Sequence, residues 1–96
     1  MYNNHMPNLP TELEQIVNRL QEIDQEREAL MKRFDELDEM AQSIQDDMSL
    51  SDEEAVKRLN AILEKCRVIE EKMRAIYDEY NDLTARAETL MKQYDN

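Results

Sequence analysis

His5 is the only histidine and Cys66 the only cysteine in this 96-residue chain. A protein zinc site needs three or four converging nitrogen, sulfur or carboxylate ligands, and nothing stands near either residue to complete one. The Glu-x-x-His pairs that hold carboxylate-bridged metals in helical bundles are also missing. No metal and no cofactor is therefore expected. The acidic groups Asp46-Asp47, Asp52-Glu53-Glu54 and Glu70-Glu71 offer carboxylates in pairs. Acid–base catalysis needs such a pair placed in unlike, pKa-shifting surroundings, and runs of charge on a helix are ordinarily solvated. There is no Ser/His/Asp set, and with no glycine at all there is no phosphate-cradling loop. The sequence does not read as an enzyme.

Charge narrows the partners. Twelve Lys and Arg stand against 23 Asp and Glu, a formal net charge of −11. That excess repels phosphate and opposes direct binding to nucleic acid or an anionic membrane. No apolar run approaches the roughly 18 residues of a membrane span. The N-terminus lacks the basic-then-apolar pattern of a signal peptide, and a single cysteine suits a reducing cytosolic or nuclear setting. The partners expected are proteins.

The elements follow from what is absent. No glycine occurs and the only prolines are Pro7 and Pro10, so neither main helix breaker follows Pro10. Residues 1–8 are polar, without periodicity, and read as a flexible lead-in. A first helix is predicted over about 10–48, with Pro10 in its first turn and a capping box from Thr11 and Glu14. A tight turn at 49–51 follows. The second helix is predicted over about 52–95, opened by Ser51-Asp52-Glu53-Glu54, a second capping box whose acids suit a helix N-terminus. Spacings for i,i+4 ion pairs occur at Glu28–Lys32, Glu54–Arg58 and Glu70–Arg74.

On the first helix, steps of three and four run through Leu13, Ile16, Leu20, Ile23, Arg27, Leu30, Phe34, Leu37, Ala41, Ile44 and Met48. The second helix repeats them through Ala55, Leu59, Ile62, Cys66, Ile69, Met73, Ile76, Tyr80, Leu83, Ala87, Leu90 and Tyr94. With Leu13 as heptad position a, the d positions from Ile16 to Ile44 and from Ile62 to Leu90 are all branched aliphatics. A repeat of that length is a strong coiled-coil signal. The predicted fold is all-α, a long antiparallel two-helix coiled-coil hairpin over residues 9–96. Folding about Leu50 places Phe34 near Cys66, Arg27 near Met73 and Leu20 near Tyr80.

Two helices need only an a/d seam, yet position e adds Val17 and Met31 on the first helix and Val56, Leu63, Tyr77 and Met91 on the second. A stripe this wide is what a bundle of more than two helices buries. The expected assembly is a homodimer closing a four-helix bundle, with a heteromeric bundle as the rival. Arg27 interrupts the first seam, either as a register specifier facing a carboxylate such as Glu70 or with a packed stem and an outward head. Cys66, at an a position, reads as a small buried hydrophobe. Tyr77, Tyr80 and Tyr94 read as core or rim, with partner docking open for Tyr94.

Two short segments carry a further likeness. Asn8-Leu9-Pro10-Thr11-Glu12-Leu13, followed by Glu22-Ile23-Asp24-Gln25, resembles the opening of the N-terminal domain of the inhibitor-of-growth family. Leu50-Ser51, Val56, Arg58-Leu59 and Ile62 are similar to that family's turn and second-helix start, and Glu71-Lys72-Met73 matches a later step only with a shift. The helical lead-in usual before the Leu-Pro element is replaced here by Asn3-Asn4-His5-Met6-Pro7. The resemblance implies a nuclear hairpin that homodimerises and anchors a histone acetyltransferase or deacetylase complex, with Leu13, Leu20, Ile23, Leu59 and Ile62 in its seam. Histone-tail recognition in that family lies in a C-terminal zinc finger. These residues contain none, so no histone-binding residue is carried over. The residues alone leave two other readings: a generic coiled-coil subunit, or an acidic helical mimic covering a basic protein surface.

Overall fold

The computed structural model describes residues 8–95, with side chains over 11–93. His5, the lead-in and the Tyr94 side chain lie outside the described residues. The chain is all-α, with α1 at Asn8–Asp46 and α2 at Asp52–Asp95.

Helix α1 starts at Asn8, earlier than the predicted residue 10. Pro10 sits within the first turn, where its missing N–H would be unpaired in any case. Thr11 therefore lies inside the helix, and the expected Thr11–Glu14 box is not its start. The other end comes at Asp46, before the predicted residue 48. Asp47 stops the helix: its Oδ1 accepts the Ser49 N–H at 2.9 Å and the Ser49 hydroxyl at 2.5 Å. Such an Asx turn offers the backbone an alternative to another helical turn. These bonds, the hydroxyl's first, hold the Asp47 carboxyl below its ordinary value. Met48 was placed on the seam by its spacing, but it falls in the turn and is 96% exposed.

Helix α2 begins where its box predicts, with half of the box made. The Glu54 N–H donates to Ser51 Oγ at 3.2 Å, and the Ala55 N–H to the Ser51 carbonyl at 2.9 Å. The Glu54 carboxylate takes Arg58 Nε at 3.1 Å instead of reaching back to Ser51. Of the three i,i+4 spacings predicted, this is the one closed.

The helices pack in two compact units. One, the turn unit, is Arg27–Arg74; the other, the terminal unit, joins α1 up to Glu26 with α2 from Ala75. In the turn unit Leu37, Ile62 and Ile69 are buried, with Leu30, Phe34, Ala41, Ile44, Cys66 and Met73 packed against them. In the terminal unit Ile16 and Ile23 are buried, while Leu13, Leu20, Ile76, Leu83, Ala87 and Leu90 are half-buried. There Glu12 pairs with Arg86 and Arg19 with Glu79. The partner's number falls on α2 as it rises on α1, so the two helices run antiparallel.

Candidate assembly surface

Heptad geometry gives each unit two edges beside its seam. Position d leans toward g, and position a toward e. The g edge of the terminal unit is closed by charge. Arg19 Nε and Nη2 donate to the two Glu79 oxygens at 2.7 and 2.8 Å, and Nη1 reaches Glu26 at 2.8 Å and Glu22 at 3.1 Å. Arg86 Nη2 donates to Glu12 at 3.0 Å on the same edge. The fork-on-fork geometry with Glu79 is the strong form of such a pair. It raises the guanidinium's pKa, chiefly through Glu79, and lowers that of Glu79.

The sign of that linkage is checkable. A carboxyl whose folded pKa is depressed adds stability above its unfolded value, and that stability is lost as pH falls through the folded pKa. Arg19 keeps its proton throughout, so the titration belongs to Glu79. Glu79→Gln is expected to lower the melting temperature at pH 7, and the gap to the parent chain should close below the ordinary carboxyl value of 4.5. Melting curves from pH 7 to pH 2 test this, and a gap independent of pH would reject it.

The e edge is open. In the turn unit Met31 is 52% and Leu63 63% exposed, with Val56 exposed beside them. Met31, Phe34, Asp35, Glu70 and Met73 line one shallow groove there. In the terminal unit Tyr77 is 65% exposed, Val17 and Met91 are exposed as well, and so is Tyr80 at the neighbouring a position. Soluble chains rarely leave large side chains in one such row.

The asymmetry reaches into the seam. Every buried residue among those described (Ile16, Ile23, Leu37, Ile62 and Ile69) is at d. The a residues Leu13, Leu20, Phe34, Leu59, Cys66 and Met73 are half-buried, and Tyr80 is exposed. Cys66 is thus only partly covered, and Arg27, also at a, is exposed. The a row lies toward the open e edge and the d row toward g, the edge that the Arg19 and Arg86 pairs close in the terminal unit.

No family model matches this chain, and no curated protein or solved structure is similar to it. The described residues include no group of three or more His, Cys, Asp or Glu able to hold a metal. Among the described residues no helix is long and apolar enough to cross a membrane.

The Arg19 node is the feature that sequence reading missed. Its signal lay in the g positions: Glu12, Arg19 and Glu26 on α1 alternate in sign and oppose Arg86 and Glu79 on an antiparallel α2. Reading a and d alone passes over it.

Proposed function

We propose that the chain is a non-enzymatic assembly module whose e edge pairs with a second copy to form a four-helix bundle. One observation carries this reading: burial is confined to d, while the a row and the apolar members of the e row beside it (Val17, Met31, Val56, Leu63, Tyr77 and Met91, interspersed with Asp24, Asp38 and Glu70) stay partly bare. A second hairpin laid on that face would cover both rows at once. Two-fold pairing is the ordinary way for a surface to meet its own copy. A monomeric mass by light scattering at micromolar concentration would overturn the reading.

A narrower reading makes this module a scaffold subunit of a nuclear acetyltransferase or deacetylase complex. It rests on the inhibitor-of-growth resemblance at Asn8–Leu13 and Leu50–Ile62. Affinity purification of the tagged chain from its own cell extract tests it. Recovery of acetyltransferase or deacetylase subunits is the expected result. Recovery of the chain alone, or with unrelated coiled-coil subunits, would leave the general assembly module and remove the chromatin role.

A further inference from the structure

The self-pairing reading leaves open which helix meets which, and charge on the turn unit decides it. Beyond e, the outermost position on the open side is b. On α1 of the turn unit the b residues include Glu28 and Asp35; on α2 they include Arg67 and Arg74. All four are exposed. Among the described residues Arg67 pairs with Glu64, one turn away on its own helix and itself exposed, so its head is available to a partner.

Two face-to-face arrangements satisfy a two-fold axis. If the axis crosses the helices, α1 lies on its own copy and α2 on its own copy. Glu28 and Asp35 would then border a second acidic row, and Arg67 and Arg74 a second basic one. If the axis runs along the helices, α1 of each copy lies on α2 of the other with the turns at the same end. Rotation about that axis shifts nothing along it, so residues level within one copy stay level between copies. Met31 and Glu70 line one groove, which puts them at about the same height along the helices. Stepping back three residues on α1 and on four along the antiparallel α2 sets Glu28 level with Arg74. Four residues on from Met31 and three back from Glu70, Asp35 is level with Arg67.

We infer that the turn unit docks on a second copy of itself with the axis along the helices, matching Glu28 to Arg74 and Asp35 to Arg67 across the interface twice over. Like charges facing each other disfavour the alternative, and complementary rim charges select orientation. In the terminal unit the b positions are Glu14 and Gln21 against Asn81 and Glu88, which supply no such match, so the inference is confined to the turn unit. It rests on the self-pairing reading and fails separately from it.

Charge reversal in the full chain tests the arrangement by sedimentation equilibrium. Glu28→Arg with Asp35→Arg places base against base on both sides of the dimer, while the formal charge moves from −11 to about −7 and so eases general repulsion between copies. Its dissociation constant is expected to rise by about tenfold or more, since four exposed pairs are each worth a few tenths of a kcal/mol or more. A chain that adds Arg67→Glu and Arg74→Glu to those two restores the match and should return to the parent value. Circular dichroism checks that each chain keeps its helices. If the parent dimerises but both variants match it, or if the fourfold reversal stays weak, the axis lies elsewhere and the inference fails while self-pairing stands. If the parent is monomeric, both fall together.

Discussion

Replacing Leu37 by aspartate is expected to unfold the turn unit at room temperature. Leu37 is 0% exposed and is one of three buried residues at the centre of that unit's cluster. Truncating such a leucine even to alanine costs about 2–5 kcal/mol in lost transfer and cavity terms. An aspartate adds the desolvation of a charge with no partner among Ile62, Ile69 and their neighbours, at least a further few kcal/mol. Whole domains hold only about 5–15 kcal/mol, and two helices with five buried residues between them belong near the bottom of that range. Far-UV circular dichroism with a thermal melt is the measurement. Met40→Asp is the control, because Met40 is exposed on the same helix less than a turn away. The control should melt near the parent, and Leu37→Asp should show no cooperative transition. Equal melting of the two would mean that the seam does not pass through Leu37.

The seam itself was legible because helix periodicity leaves a regular trace. The five residues that end up buried, Ile16, Ile23, Leu37, Ile62 and Ile69, are all branched aliphatics at d, and the Ser51 cap marks the start of α2 in both sequence and structure. The helix ends were harder to read. Spacing placed Met48 on the stripe, but periodicity is blind to a side chain that competes for backbone bonds, and Asp47 does so with Ser49. Helix α1 starts before Thr11 for a related reason: a capping pattern marks a possible start, and Pro10 allows the helix to begin ahead of it. The difference in burial between the a and d rows was not legible, since both rows are apolar in sequence. It follows the edge that each row leans toward, and in the terminal unit the g edge is sealed by charges on Arg19 and Glu79 that do nothing in isolation.

That difference sets the second large effect. Met31→Lys with Leu63→Lys is expected to convert a dimer into a folded monomer. Both side chains are more than half exposed in the single chain, so replacing them should leave each hairpin's own packing almost unchanged. In the dimer each copy would contribute both, and four half-covered side chains would lose their remaining burial. Full burial of such a side chain is worth about 1.5–3 kcal/mol, so half of it four times over comes to about 3–6 kcal/mol. That corresponds to a rise of roughly 10²–10⁴ in the dissociation constant. Lysine is chosen because it works against the trivial explanation. Two added positive charges reduce the formal charge from −11 and so weaken the repulsion between copies. A loss of association therefore cannot come from net charge and must come from the apolar row. Sedimentation equilibrium gives the mass, and circular dichroism shows whether the helices persist. A dimer that survives both lysines would move the interface off the e edge. Met40 and Val68, exposed large apolar side chains on the helices of the turn unit that lie off that edge, would then be the next residues to change.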